Sequence, residues 1–306
     1  MRHLWNRRFA VLLFLSCGLL LLAALQAHAA LKPGTFYVVG TGPAGPEHAT
    51  LRALEVMQQA DFILTDAKTA ARFAQYLQGK TILADPWAGM WDYKGKPWRE
   101  IPSLGREEVK AFKAARIQRR DDLVAQIKAK LAQGQTVALL DNGDPCLFGP
   151  SHWYIEGFDP QQVEIIPGVG AFSAAMAALK KSSIPAYDTR FVLQTSPFFF
   201  WGKQRQEELA KELAKYPTTM VFYMGLEEIQ TLVTMLQKYY PADLPIAVVY
   251  HAGFPDREKV VKGTIADILS KIAAEKEQWL GMIIVGQALE GSPYRSRVEP
   301  LAGYDD

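Results

Sequence analysis

The sequence predicts an α/β protein built as two α/β domains with mixed, parallel-rich sheets. Three observations carry this. Short apolar runs of strand length alternate with helical patterns, the signature of sheets covered by crossover helices. The alternation breaks near Ser182-Ser183-Ile184-Pro185 and then restarts. Within the first half, the apolar run Val137-Ala138-Leu139-Leu140 discharges into Asp141-Asn142-Gly143-Asp144-Pro145, a turn rich in exposed backbone groups. In open α/β sheets, ligands bind just beyond the carboxyl ends of strands, so this turn is the first candidate site.

In chain order, Phe36–Val39 reads as a strand, followed by the turn Gly40-Thr41-Gly42-Pro43-Ala44-Gly45-Pro46. Thr50–Ala60 is predicted helical, with Leu51, Leu54 and Met57 on one face and Ala60 closing it. Phe62–Leu64 and Thr81–Leu83 are strands. Arg106–Gln133 is a charged helix with an apolar stripe of Leu123, Ile127 and Leu131. The strand Val137–Leu140 and its turn follow, then Val163–Ile166 leading into Pro167-Gly168-Val169. Beyond the break, Thr218–Tyr223, Pro245–Tyr250, Val260-Val261 and Met282–Val285 are strands and Leu226–Lys238 a helix. The expected domains are 30–185 and 186–290, with a tail over 291–306. No internal repeat or low-complexity tract is present.

Residues 1–29 carry a targeting pattern. Arg2, Arg7 and Arg8 precede an apolar stretch from Phe9 to Leu25, and Ala27-His28-Ala29 supplies a small-residue cleavage pattern. This predicts a signal peptide and an exported, periplasmic or secreted protein. An uncleaved N-terminal anchor is the other reading, the apolar stretch lying near the lower length limit for a bilayer span. Arg7-Arg8 and Ser16-Cys17 match twin-arginine and lipidation signals poorly.

Removing residues 1–29 leaves about 277 residues, enough for two cores. The three arginines go with them, leaving 31 basic against 32 acidic residues and a net charge of −1. No nucleic-acid partner is expected from such a balance. Cys146 is then the only cysteine, so no intrachain disulfide forms. It is read as half-buried and inert between apolar neighbours, with a reactive thiol as the other reading.

Pro86–Ile101 is irregular and aromatic, holding Trp87, Met90, Trp91, Tyr93 and Trp98 beside Lys94, Lys96 and Arg99. Two readings stay open: packing over the core, or a ligand lid.

Five blocks in order resemble the tetrapyrrole methylase superfamily, which includes uroporphyrinogen-III and cobalt-precorrin methyltransferases. They are VVGTGPAGPEHATLRALEVMQQADFILTD (38–66), LLDNGDPCLFG (139–149), IIPGVGAFSAAMAAL (165–179), VFYMGL (221–226) and AVVYHAGFPDREKVVKGTIADI (247–268). The resemblance runs from about Gly34 to Leu289. It implies two α/β domains enclosing S-adenosyl-L-methionine in a cleft, with no metal, a tetrapyrrole substrate and a homodimer.

By motif matching, the resemblance places Gly42, Pro43, Gly143, Asp144 and Pro145 at the cofactor, with Phe148 shaping the site. Ser173 and Ala174 belong to the segment after Pro-Gly-Val, and Met224, Gly225 and Ala252 lie against the adenosine. Asp66, at the end of the second strand, is the candidate catalytic carboxylate, taking a proton or steadying positive charge. A helix-capping role is its other reading. Trp87 and Trp91 would stack on the macrocycle, Arg99 would pair with its carboxylates, and His251 would face the cleft from a strand end.

Three segments depart from the family pattern. The first loop reads Gly42-Pro43-Ala44-Gly45-Pro46 and lacks the usual acid. Gly170 replaces a hydroxyl residue, and Ala252-Gly253 replaces an alanine-threonine pair. The resemblance implies a methyltransferase acting on a corrinoid or porphyrinoid. Two alternatives accompany it: a non-catalytic exported tetrapyrrole-binding protein, and a peptide-backbone N-methyltransferase of the same superfamily. Against the latter, Leu123 stands where that branch has its tyrosine.

Overall fold

A computed structural model describes residues 30–184, 189–197 and 206–290. The signal-peptide residues 1–29, the tail 291–306 and the proposed boundary at Pro185 lie outside the described residues.

The first sheet has five strands in the order β3-β2-β6-β1-β7: β1 Phe36–Gly40, β2 Phe62–Leu64, β3 Thr81–Ala84, β6 Val137–Asp141 and β7 Val163–Ile166. β2 is parallel to both β3 and β6, with Phe62, Ile63 and Leu64 opposite Val137, Ala138 and Leu139. Every residue of β1 and β6 is buried. Such near-continuous apolar runs belong to parallel strands covered on both faces.

The helices around it refine the sequence reading. α1 (Leu51–Gln59) buries Ala53, Val56 and Met57, with Ala60 beyond its end, but Leu51 is 79% exposed. Leu51 is the first helical residue, where there is no preceding turn for its side chain to lie against, so the expected face begins one turn later. α2 (Ala67–Arg72) follows β2. α3 (Arg106–Leu131) buries Leu123, Ile127 and Leu131 as expected, and adds Phe112 and Val124. Glu107 and Glu108 in its first turn and Lys128 and Lys130 in its last complement the helix dipole.

The aromatic stretch contains a hairpin absent from the sequence reading: β4 (Asp92–Tyr93) and β5 (Lys96–Pro97) pair antiparallel. Its two turn residues, Lys94 (φ 50°) and Gly95 (φ 75°), both take the left-handed conformation of a two-residue hairpin turn. Asparagine or aspartate usually occupies the first of those positions; lysine there hid the turn.

After α4 (His152–Ile155) and α5 (Ala171–Leu179), the second sheet forms from β8 Phe191–Thr195, β9 Thr218–Phe222, β10 Pro245–Tyr250, β11 Lys259–Thr264 and β12 Gly281–Val285, ordered β11-β10-β12-β9-β8. β10 is antiparallel to β11 and β12, β12 is antiparallel to β9, and β8 is parallel to β9. The sheet is therefore mixed, and most of its pairings are antiparallel. The eight residues between β10 and β11 are a return loop rather than a crossover helix, which only antiparallel pairing allows.

Alternation sorts the central strands between two cores. Met220, Phe222, Ile246, Val248, Ile283 and Val285 face α6 (Gln206–Leu213), α7 (Ile229–Tyr239) and α8 (Ile268–Lys271) through Ala210, Leu232, Leu236 and Ile268. Val221, Ala247, Val249, Met282 and Ile284 face Ala175, Met176 and Leu179 of α5. Full burial of each valine, leucine, isoleucine, methionine or phenylalanine among them contributes about 1.5–3 kcal/mol.

The described residues form two compact units. One holds the chain to Val38, Leu54–Leu139 and Trp153–Glu164; the other holds Val39–Ala53, Leu140–His152 and the chain from Ile165. Among the described residues, no helix is long and apolar enough to cross a membrane.

Candidate functional site

β9 and β10 run the same way, so their carboxyl ends share one edge of the second sheet, with the start of β12 arriving between them. A cavity of ≈ 160 Å³ opens there. Tyr223 and Met224 after β9, His251, Ala252 and Phe254 after β10, and Trp279 to Met282 entering β12 line it, together with Pro43 and Ala171. This is the position that strand-end logic selects for a ligand.

Backbone geometry is unusual around it. Met224 (φ 52°), His251 (φ 48°) and Phe148 (φ 59°) adopt the left-handed region without being glycine. Such residues cost of order 1–3 kcal/mol each and cluster at functional sites. Phe148 packs its ring 5.0 Å from Tyr223. The Tyr223 hydroxyl donates to Gln194 Oε1 at 2.7 Å, while burial, then the Asp144 charge, push its ionisation well above the ordinary range. Tyr223 thus lines the cavity as a neutral, hydrogen-bonded hydroxyl.

His251 is held on one side only. Its Nε2 lies 3.3 Å from Glu277 Oε2, and its Nδ1 is buried without a hydrogen-bond partner. The other Glu277 oxygen accepts from the backbone N–H groups of Trp279 at 2.7 Å and Leu280 at 3.0 Å. Burial raises the Glu277 pKa, but those two N–H donors and the His251 charge outweigh it and hold the carboxyl below its usual range. One carboxylate thereby ties the wall of the cavity to the histidine.

Three glycine turns interleave nearby. Gly42 and Gly143 form an isolated bridge, and Thr41 N–H donates to the Asp141 carbonyl at 2.9 Å. A Cβ on Gly168 would meet the Gly143 oxygen at 2.1 Å, and one on Gly40 would meet Gly168 N at 2.5 Å and Pro145 Cδ at 2.7 Å. The chains approach closely because these positions carry no side chain. Asp144 Oδ1 accepts from Cys146 N–H at 3.0 Å, which shapes the turn. Asp141, deeply buried, has its pKa raised by burial despite the Ser151 contacts.

Of the residues expected at the cofactor, Pro43, Met224 and Ala252 line the cavity, as does His251, which had been expected on the substrate side. Gly225 adjoins Met224, and a Cβ on it would press on Pro197 and Ile283. Ser173 is exposed and Ala174 buried on α5, and neither lines the cavity; Ala171, at the start of that helix, does. The strand β12 entry, Trp279 to Met282, was missed altogether. Its signal was an exposed Trp-Leu pair leading directly into an apolar strand.

The sequence departures have local reasons. Gly253 sits at φ 86° with its Cβ position 3.1 Å from Pro43 and 3.2 Å from His48, so a threonine does not fit this backbone. Gly170 caps α5 without a side-chain bond, although a Cβ there would meet nothing closer than Asp144 at 3.6 Å.

Asp66 caps α2. Its Oδ1 accepts from Lys68 N–H at 2.8 Å and Thr69 N–H at 3.0 Å, and its Oδ2 from the Thr69 hydroxyl at 2.6 Å. Burial raises its pKa, but these donors and Arg72 lower it further, leaving the carboxylate below its ordinary value. It is ionised at neutral pH and suits electrostatic stabilisation better than proton uptake.

The aromatic stretch is pinned to its own unit. Tyr154 donates its hydroxyl to the Pro86 carbonyl, Arg119 Nη1 donates to the Ala88 carbonyl, and Lys94 Nζ bonds both Glu108 oxygens at 2.9 Å. Trp87 packs 6.2 Å from Tyr154, whereas Trp91 remains 48% exposed. Arg99 lies 5.3 Å over the Trp98 ring.

Cys146 differs from expectation: its residue is exposed rather than half-buried. Partial desolvation of the sulfur, then the neighbouring Asp144 charge, still push its thiol up.

Comparison with known proteins gives the family and the fold. The family of tetrapyrrole (corrin/porphyrin) methylases matches residues 35–269, and the chain belongs to that family. A cobalt-precorrin-4 C(11)-methyltransferase of Methanocaldococcus jannaschii is 28% identical over 84% of this chain and 89% of its own. The X-ray structure of a cobalt precorrin-4 methyltransferase of cobalamin biosynthesis superposes with a TM-score of 0.61 at 23% identity, over 84% of this chain and 97% of that one. A Thermus thermophilus uroporphyrin-III C-methyltransferase complexed with S-adenosyl homocysteine gives 0.55 at 18% identity, over 84% and 99%.

Proposed function

We propose that the protein is an S-adenosyl-L-methionine-dependent methyltransferase acting on a tetrapyrrole, either a corrinoid or a porphyrinoid. The observation that carries this is the cavity at the ends of β9 and β10, around which Pro43, Met224, His251 and Ala252 converge. Its residues suit the cofactor chemically. Val249, Met282, Met224 and Ala252 offer apolar surface to a flat purine, and the orphaned Nδ1 of His251 offers one polar contact to orient it. When bound, the cofactor supplies a methyl group activated by its positively charged sulfur.

The chain's own residues bind, orient and exclude water. The Glu277–His251 pair fixes the cavity wall, and Tyr223 closes one side as a neutral hydroxyl. Gly143, Asp144 and Pro145 present the turn expected to hold the cofactor's polar end, and Phe148 packs on Tyr223. Holding two reactants close and aligned supplies most of the acceleration such a displacement needs. Asp66 contributes a fixed negative charge. Trp87, Trp91 and Arg99 are assigned to the macrocycle.

For residues 1–29 we keep the signal-peptide reading, with export beyond the cytoplasm and a mature chain beginning at Ala30. A homodimer is the expected assembly.

The test is methyl transfer itself. The purified protein, given S-adenosyl-L-methionine and reduced uroporphyrinogen III or a precorrin, is expected to add a methyl group to the macrocycle. Cofactor binding with no transfer to either acceptor would favour a non-catalytic binder, and methylated peptide amides would favour the backbone N-methyltransferase.

A further inference from the structure

Arg116, half-buried one turn beyond Phe112 on the same face of α3, is a cation without an acid. Its guanidinium carbon lies 5.2 Å from the Phe112 ring centre, 5.3 Å from that of Trp153 and 5.8 Å from that of Trp91. Its Nε is buried and makes no hydrogen bond. Among the described residues it forms no ion pair. Three carboxylates of α3 have partners of their own: Glu108 with Lys94, Asp121 with Arg120, and Asp122 with Gln118. On the aromatic stretch, Asp85 accepts from Trp87 N–H, and Asp92 lines the neighbouring pocket with Phe112 and Arg119.

A second guanidinium, Arg119, lies across Gly89, where a Cβ would meet its Nη1 at 1.5 Å. Its described hydrogen bond goes to the Ala88 carbonyl, not to an acid. Arg120 also lies near Trp153, 5.9 Å from the ring centre, with its Nε donating to the Trp153 carbonyl at 3.1 Å. Burial and then the Asp85 charge raise the Tyr154 hydroxyl pKa and all three arginines pull it down, leaving it pushed up to about 12.

We infer that Arg116, framed by Trp91 and Trp153, is a carboxylate-binding residue for an aromatic polycarboxylic ligand. The inference rests on the tetrapyrrole reading above and deepens it. Three ring faces hold the guanidinium plane in place and offset part of its desolvation, while no described partner occupies its two terminal nitrogens. A preorganised guanidinium fork binds a carboxylate through two parallel hydrogen bonds, and lysine does not reproduce that geometry. Trp91, half exposed beside it, offers a surface for a conjugated ring. The sequence assigned carboxylate recognition to Arg99; the geometry adds an arginine from α3, twenty-five residues from Trp91, that sequence spacing did not bring to the loop.

The experiment titrates the full-length protein with uroporphyrin III and, separately, with benzenehexacarboxylate, following tryptophan fluorescence. Arg116→Lys and Arg116→Gln are compared with the parent, and circular dichroism establishes folding. Both variants are expected to weaken each probe about tenfold, as when a charge-assisted hydrogen bond is lost, while S-adenosylhomocysteine affinity is unchanged. Trp91→Phe is expected to weaken uroporphyrin III and spare benzenehexacarboxylate, which separates stacking from charge. If the parent binds uroporphyrin III and folded Arg116→Lys binds it equally, the inference falls while the tetrapyrrole reading stands. If benzenehexacarboxylate binds through Arg116 but uroporphyrin III does not bind, the site stands and that reading falls. Binding of neither probe overturns both.

Discussion

Gly42 and Gly143 hydrogen-bond to each other in both directions, Gly143 N–H to the Gly42 carbonyl at 2.8 Å and Gly42 N–H to the Gly143 carbonyl at 3.2 Å. This reciprocal pair joins the first glycine loop to the turn after β6. Both residues have left-handed φ, 77° in each case.

The pair predicts an ordered effect of alanine substitution. A Cβ on Gly143 would meet nothing closer than 4.0 Å, so Gly143→Ala costs only the left-handed strain, about 1–2 kcal/mol. A Cβ on Gly42 would meet the His48 carbonyl oxygen at 2.5 Å. Gly42→Ala is therefore the more destabilising of the two. Urea unfolding of both variants checks the order, and equal midpoints would contradict it.

Asp66 predicts a pH dependence. Its folded pKa is lowered, so its contribution is fully present above the unfolded value near 3.8 and is lost as pH falls through the lower folded value. Asp66→Asn keeps an acceptor for the helix cap but removes that acid-side loss. Asp66→Ala removes the cap and costs about 0.5–2 kcal/mol at neutral pH. Denaturation curves from pH 7 to pH 2 separate these outcomes.

Cys146 is expected to react slowly although it is exposed. The thiolate is the nucleophile, and desolvation together with Asp144 disfavours it. Alkylation by iodoacetamide, followed on the Cys146 peptide by mass spectrometry, should therefore lag a free thiol at pH 7 and accelerate as pH rises. Asp144→Asn should speed it by removing the charge while keeping an acceptor for Cys146 N–H. An unchanged rate in that variant would contradict the electrostatic cause.

Glu277 and His251 make a prediction about the cavity. Glu277→Ala frees the N–H groups of Trp279 and Leu280 and releases His251 Nε2. His251→Ala leaves the Trp279 and Leu280 turn tied but removes the orphaned nitrogen. Each is expected to lower cofactor affinity, by about 1–3 kcal/mol where a buried ligand group loses its partner. Calorimetric titration reads both; an effect on melting temperature with none on binding would assign the pair to stability alone.

Much of this architecture is visible in the residues themselves. Val137 to Leu140, Pro245 to Tyr250 and Met282 to Val285 are apolar without interruption because both faces of those strands are covered, and such runs announce themselves. β8 was missed because Phe191-Val192-Leu193-Gln194-Thr195 is an edge strand whose first residue is largely exposed. Met224, Ala252 and Pro43 were legible through motif resemblance, because each belongs to a loop directly after a strand. Trp279 to Met282 were not, since only the antiparallel insertion of β12 between β9 and β10 brings them to the cavity. Arg116 was hidden for a related reason: helix spacing identifies the face of α3 it occupies, but not which distant aromatics meet it.

The central claim is that the cavity beyond β9 and β10 holds S-adenosyl-L-methionine. Isothermal calorimetry of the purified protein with S-adenosyl-L-methionine, then with S-adenosylhomocysteine, tests it most directly, with Asp144→Ala and His251→Ala as paired variants. Saturable one-site binding of both ligands, weakened about tenfold or more in folded variants, is the predicted result. No heat of binding from either ligand, or binding that both variants leave unchanged, would contradict it.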